Sequence, residues 1–197
     1  MKPNASPLSQ SIIIAFGSNR RGLWGNPRQE IAKSLQVLRQ HGIELVALSS
    51  CYRTRPVGGG RQPEYLNAVG LFKCSCPPGR LLRGLKRIER DAGRTQLSRH
   101  WGPRVLDLDL IGHGGRVIGW PLAPGRRRPL VLPHPEAHRR RFVLQPLLDV
   151  APHWRHPALG VSARRLLAGL GRGRQDVVRM RDQAPFGKAA GPPADAA

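Results

Sequence analysis

Asp107 and Asp109 stand two residues apart in the segment VLDLDLI (105–111). Aspartate is depleted in strands, so a strand holding two of them has a purpose to explain. Side chains alternate along a strand, so both carboxylates fall on one face, with Cα atoms about 6.5–7 Å apart. Leu106, Leu108 and Leu110 take the other face, toward a core. Two carboxylates on one rigid face form a hard, oxygen-only site suited to Mg2+, which binds through one or two carboxylates and substrate phosphates. A solvated face paired with nearby arginines explains the two aspartates equally well on their own.

The neighbours favour the metal. Arg104 precedes the strand in WGPR (101–104), and Arg94 opens the loop upstream. Arginines beside a metal–phosphate site neutralise charge on a transferring phosphoryl group. Trp101 in the same loop reads either as a cover for the site or as a hydrophobic plug, and Pro103 stiffens the entry to the strand. His134 sits in LPHP (132–135), a rigid turn suited to a phosphate donor, followed by Arg139, Arg140 and Arg141. A lone histidine and an arginine run also fit an ordinary surface. A glycine-rich loop ends in QPEYLNA (62–68), where Tyr65 offers a stacking face and the Asn67 amide both a donor and an acceptor for a flat polar heterocycle. An ordinary hairpin would use the same residues.

These residues need elements to hold them. Ser11–Ser18 reads as a buried first strand, and Pro27 opens a helix carrying Ile31, Leu35 and Leu38 on one face to about Gly42. Ile43–Tyr52 reads as a strand, as does Tyr65–Lys73. Pro77 and Pro78 open a second helix, with Leu81, Leu82, Leu85 and Ile88 at helical spacing and Gly93 as its stop. The strand at 105–111 follows, then the turn GHGGR, with Val117–Trp120 as a candidate return strand. Phe142–Leu148 with Ala151–Pro152 completes the compact part. The order strand–helix–strand–strand–helix–strand predicts an α+β fold, a ferredoxin-like sandwich with a central antiparallel sheet. Residues 1–10 are expected to be a loose lead-in, 11–170 the folded domain, and 171–197, rich in Gly, Pro and Ala, a disordered tail.

The 197 residues suit one domain. Lys and Arg total 33 against 12 Asp and Glu, a net charge of +21. The tail carries five basic and three acidic residues, or +2, which leaves +19 on residues 1–170. Arginine dominates, and its fork reads phosphate in a bidentate way. The partner is therefore expected to be a polyanion or phosphate-rich ligand. No apolar run approaches the ~20 residues of a membrane span, and no signal-peptide core is present. Three cysteines without CxxC spacing fit a reduced, cytoplasmic compartment. The P-loop, dinucleotide, zinc-protease, nucleophile-elbow and zinc-finger patterns are all missing. A basic nucleic-acid-binding protein stays open as the rival class. Against it, aromatics are only 5% of the chain and no RNA- or DNA-module signature occurs, so nucleic acid is expected only as a non-specific partner.

Read together, AFGSN (15–19), YRT (52–54), QPEYLNA (62–68), RIERDAGR (87–94), RHWGPRVLDLDLI (99–111), LPHPEAHRRRF (132–142) and PLLDVAP (146–152) resemble the hydroxymethyldihydropterin pyrophosphokinases of folate biosynthesis. The resemblance implies transfer of pyrophosphate from ATP to the hydroxymethyl group of 6-hydroxymethyl-7,8-dihydropterin, giving AMP and the pterin diphosphate. It implies two Mg2+ ions held by Asp107 and Asp109, and phosphate contacts from Arg94, Arg104 and His134. Trp101 would close a loop over the site. Tyr65 and Phe142 would sandwich the pterin, with Asn67 on its edge and Thr54 contributing through its backbone. Glu89, Leu110 and Arg140 are implied near the nucleotide. A monomer is the implied state. The sequence departs from the family pattern at Thr95–Ser98 and His100, which bears on the phosphate contacts of that loop, and at Arg55 and the loop 20–27. A family member with altered pterin specificity is a further alternative.

Overall fold

The computed structural model describes residues 11–56, 62–95, 102–122, 128–171 and 177–180. Trp101, the lead-in 1–10, most of the loops at 57–62 and 95–100, and most of the tail lie outside the described residues.

Strand β1 (Ser11–Ser18) is followed by α1 (Pro27–Gln40), β2 (Glu44–Leu48), β3 (Tyr52–Thr54), β4 (Tyr65–Lys73), α2 (Pro78–Asp91) and β5 (Asp107–His113). Then come a single 3-10 turn (Ala137–Arg139), α3 (Arg141–Val150), α4 (Ala163–Gly169) and β6 (Val177–Arg179). The sheet runs β5-β1-β4-β3-β6, with β2 also paired to β4, and every pairing is antiparallel. The strand–helix–strand–strand–helix–strand order and the central antiparallel sheet match the sequence expectation.

Asn26 caps α1 by accepting from the amides of Arg28 and Gln29, while the Gln29 side chain accepts from the Asn26 amide. This reciprocal pair satisfies donors that the first turn leaves open. Helices α1 and α2 cover one face of the sheet. Ile31, Leu38, Leu81, Leu85 and Ile88 pack there on Ile12, Ile14, Phe16, Leu106, Leu108 and Leu110. Helix α3 covers part of the other face, with Val143, Leu144 and Leu147 against Ile13, Val69, Leu71 and Ile111.

That second face changes character along its strands. On β1 it reads Ile13, Ala15, Gly17; on β5, Ile111, Asp109, Asp107; on β4, Leu71, Val69, Asn67, Tyr65. Large apolar groups sit under α3, and small or polar ones lie beyond it. The sheet is a closed core at one end and the floor of a cavity at the other.

Three elements differ from expectation, while Phe142–Leu148, for which the sequence named no element, lies in α3 and packs onto the sheet. The stretch 43–52 is two strands, because Ser49 turns inward: its amide donates to Val69 O, and its hydroxyl accepts from the Val69 amide at 2.9 Å. The Ser50 amide then donates to Asp149 on α3. Val117–Trp120 is no return strand on β5; Ile118 instead exchanges two backbone bonds with Leu132. The tail is not structureless throughout, because Val177–Arg179 pairs with β3. Val177 and Val178 are good strand formers, and β3 offers a free edge to receive them.

Candidate active site

A cavity of about 390 Å3 opens over the second face, within the usual range for a small-molecule site. Its lining contains Thr54, Tyr65, Asn67, Arg104, Asp107, Asp109, His134, Arg140 and Phe142, all singled out from the sequence. Five segments supply them, namely β3, β4, the lead into β5 with β5 itself, the turn at 134 and the start of α3.

The floor is a cross-strand row. Asn67 pairs with Gly17, and Gly17 pairs with Asp107. A Cβ placed on Gly17 would stand 3.6 Å from Asn67 Oδ1 and 3.8 Å from Asp107 Cβ. Glycine there keeps the space between amide and carboxylate open. On the β3/β4 side of that row, Asn67 Nδ2 donates to Thr54 Oγ1 at 2.9 Å, and Tyr65 donates its hydroxyl to Gly102 O at 2.9 Å. The aromatic face of Tyr65 is thus fixed against the segment leading to β5. Phe142, which also lines the cavity, carries the Arg140 guanidinium 5.7 Å from its ring centroid.

The carboxylate end is a dense charge network. Arg94 and Arg104 both donate to Asp107 Oδ1, at 2.6 and 2.8 Å. Arg140 donates to Asp109 Oδ2 at 3.3 Å. Burial opposes the charged form of Asp107, but Arg104, Arg94 and Lys86 outweigh it and hold its carboxyl below the usual range. Arg104 is placed by Asn19, whose side-chain oxygen accepts from the Arg104 amide at 2.7 Å while its amide nitrogen donates to Pro63 O at 3.1 Å. The end of β1 therefore ties Arg104 to the loop that precedes β4.

His134 is set by its backbone, whose amide donates to Ile111 O at 3.0 Å. Its Nδ1 accepts from the Glu136 amide at 3.1 Å, so the neutral ring carries its proton on Nε2. Burial lowers the His134 pKa and Arg140 adds to this, against the pull of Asp109. The neutral Nε2–H stands 3.7 Å from Asp109 Oδ2, too long for a hydrogen bond and near enough to share a ligand oxygen.

Arg94 does not line the cavity; it reaches the site through Asp107. Gly93, at φ +98°, turns the chain at the end of α2, and the Arg94 amide then donates to Glu89 O. Glu89 is buried behind the site. Its Oε1 accepts from the Leu108 amide at 2.8 Å and pairs with Lys86 at 2.6 Å, while Oε2 pairs with Arg94 at 2.6 Å. Burial pushes the Glu89 carboxyl up, and Lys86 and Arg94 restrain the rise. Glu89 is thus a holder of cations and not a wall of the cavity. The Leu110 side chain lies in the α1/α2 core, on the face opposite Asp109, so only its backbone faces the β5 edge near the site.

Sequence reasoning missed Lys86, which donates to Leu108 O at 3.0 Å and lies 3.9 Å from Asp109 Oδ1. Its i,i+3 spacing to Glu89 was the available signal. Arg55, Glu136 and Arg139 also line the cavity. Arg139 belongs to the arginine run after His134 and Arg55 is a departure from the family pattern, but the sequence assigns neither a role, and nothing in it sets Glu136 apart from other surface charges.

Among the described residues, no group of three or more His, Cys, Asp and Glu gathers as a metal site. The two β5 carboxylates nevertheless fit Mg2+, which completes its shell with phosphate and water. Both arginine bonds to Asp107 fall on Oδ1, which leaves Oδ2 for a cation.

A family model for 7,8-dihydro-6-hydroxymethylpterin-pyrophosphokinase (HPPK) matches residues 13–152. The chain belongs to this family. It is 37% identical over 142 residues to the 2-amino-4-hydroxy-6-hydroxymethyldihydropteridine pyrophosphokinase of Haemophilus influenzae, covering 72% of this chain and 81% of that one. It is likewise 37% identical over 155 residues to the protein of the same name from a Synechocystis strain, covering 79% and 73%. Among solved structures, Plasmodium falciparum HPPK-DHPS with pteroate superposes with a TM-score of 0.60 at 12% identity. It covers 81% of this chain, which spans 44% of that one, and at such identity the likeness concerns the HPPK fold. The matched segment runs from β1 into the end of α3, so all the cavity-lining residues named above lie inside the HPPK match.

Proposed function

We propose that this protein is an ATP-dependent pyrophosphokinase of folate synthesis. It transfers the β,γ-diphosphoryl group of ATP to the hydroxymethyl oxygen of 6-hydroxymethyl-7,8-dihydropterin. That oxygen bonds to the β-phosphorus and loses its proton. The bond from the β-phosphorus to the α,β-bridging oxygen breaks, and AMP leaves with the bridging oxygen. The observation that carries the reading is one cavity in which a heterocycle-binding end (Thr54, Tyr65, Asn67, Phe142) faces a phosphate-binding end (Arg104, Asp107, Asp109, His134, Arg140).

The protein's own groups supply position and charge. Tyr65 and Phe142 offer ring faces, and the Asn67 amide reads the heterocycle edge. Arg94 and Arg104 neutralise charge on the transferring phosphates, and the neutral His134 Nε2–H donates to a phosphate oxygen. Asp107 and Asp109 would hold the two Mg2+ ions, which would further neutralise phosphate charge when bound. No covalent enzyme intermediate is needed. The reading places the protein in the cytoplasm. Among the described residues no helix is long and apolar enough to cross a membrane, and the three cysteines are free thiols.

The test is AMP formation from ATP by purified protein, with and without the reduced pterin and Mg2+. AMP is expected only when both are present, and pterin-independent or absent AMP release would overturn the reading. Asp107→Asn should cut turnover by at least about a hundredfold, the scale of losing one preorganised charge partner.

A further inference from the structure

We propose that the C-terminal strand β6 is a positioning element for the heterocycle end of the cavity. It acts by pairing with β3 and so fixing Thr54 and Asn67. The inference rests on the pterin reading above and extends it to a segment that the family match, ending at residue 152, does not reach.

The register carries the argument. Arg179 pairs with Tyr52, Tyr52 with Asn67, Asn67 with Gly17, and Gly17 with Asp107. One unbroken cross-strand row thus leads from the C-terminal strand to the carboxylate end of the site. In the neighbouring row, Val177 pairs with Thr54 and Thr54 with Tyr65. Every residue of β3 is therefore held between β4 and β6. A strand of three residues with one free edge is weakly specified; pairing on both edges fixes its place. Thr54 and Asn67 are both buried and joined at 2.9 Å, so a shift of β3 is a shift of the amide that reads the heterocycle.

β6 has its own anchors. The Met180 amide donates to Cys51 O at 3.0 Å, and the antiparallel alternation then sets the Val178 amide against Arg53 O. The Arg179 guanidinium donates twice to Ser50 Oγ, at 3.0 and 2.8 Å. The Met180 side chain packs on the core. Val178 itself is half exposed, so its side chain contributes little packing and its amide is the part worth probing. The phosphate end is hung differently. Asp107 and Asp109 lie on β5 at the far edge of the sheet, and His134 follows the Ile111 carbonyl.

The experiment uses the full chain with Val178→Pro, which removes one ladder donor, beside Val178→Thr, which keeps it. Steady-state KM is measured for the pterin and for ATP. Loss of one backbone hydrogen bond changes an equilibrium by roughly two- to tenfold, so the pterin KM should rise about fivefold in the proline variant. The ATP KM and kcat should stay within about twofold, and the threonine variant should match the parent for both substrates. An unchanged pterin KM, or an equal rise for both substrates, overturns the proposal, because general loosening does not distinguish the two ends of the cavity. If Val178→Pro fails to fold, Arg179→Ala must show the same split in smaller degree, and no split overturns the proposal. Failure of the pterin reading itself is separate: the parent protein would then form no pterin-dependent AMP.

Discussion

Asp107 and His134 hold complementary states near neutral pH: a carboxylate kept charged by Arg104 and Arg94, and an imidazole kept neutral by burial. A charged carboxylate suits a cation, and a neutral imidazole can donate from Nε2 without repelling the arginines. A second buried histidine lies outside this chemistry. His156 is fully buried, with ring centroids 5.1 Å from Trp120, 5.6 Å from Trp154 and 5.6 Å from His138. Its Nδ1 accepts from the Leu159 amide at 3.2 Å, and its Nε2 has no partner among the described residues. Burial and the adjacent His138 push its pKa down to about 4, from 6.5. Within that window the unfolded chain binds a proton that the folded chain does not. Folding stability is therefore complete above about 6.5 and lost progressively as pH falls toward about 4. The loss from this one group is on the order of 3 kcal/mol. Denaturant unfolding of the parent and of His156→Phe across that range should show a steep acid limb in the parent and a shallower one in the variant. Parallel curves would assign the acid sensitivity elsewhere.

At the scale of elements, the residues that announced themselves were those under a strong period. β1, α1, β4, α2 and β5 show in the sequence because one face or both faces of each are apolar at the spacing its geometry demands. The division between β2 and β3 does not show, because it turns on the Ser49 hydroxyl replacing a backbone partner of Val69. β6 does not show either, since three residues have no period and their pairing is decided by the edge of β3. The same contrast runs through the site. Asp107, Asp109, Tyr65 and Asn67 stood out by type and spacing, whereas Lys86 gains its part only from the packing of α2 beside β5. Leu110 had been implied near the nucleotide by resemblance alone, while strand alternation already placed its side chain on the core face. The junction of α2 with β5 is where two elements meet through one buried carboxylate. Glu89 satisfies the outward Leu108 amide of the edge strand and holds Lys86 and Arg94. Glu89→Gln keeps the shape and removes the charge. Stability should fall by somewhat less than the roughly 3–5 kcal/mol of breaking a fully buried pair, because both cations retain some contact with water. Arg94 would then lean on Asp107 alone, so kcat should fall together with stability. Thermal unfolding and steady-state kinetics on the same preparation check both, and unchanged kcat with lowered stability would show that Glu89 serves the fold only.

At the scale of the whole molecule, most basic side chains among the described residues lie away from the cavity, whose lining holds Arg55, Arg104, Arg139 and Arg140. The outer face of α2 carries Arg80, Arg83, Arg87 and Arg90 at helical spacing, all exposed. Such a stripe repels itself and makes no site by itself. Its effect is a field, which favours approach of any polyanion, ATP included, whatever its sequence or shape. The field and the contacts are separable by salt. At about 0.1 M ionic strength charges are screened beyond about 10 Å, and at 1 M beyond about 3 Å, so the remote arginines fade while the ion pairs inside the cavity persist. Between about 0.05 and 0.5 M KCl, kcat/KM for ATP should therefore fall several-fold while that for the uncharged pterin moves less than about twofold. Arg83→Gln with Arg87→Gln should flatten the ATP dependence and leave its high-salt limit in place, because neither residue lines the cavity. A fall of equal size for both substrates would point to salt acting on the fold, and no fall for ATP would mean that the excess charge has no part in bringing the nucleotide in.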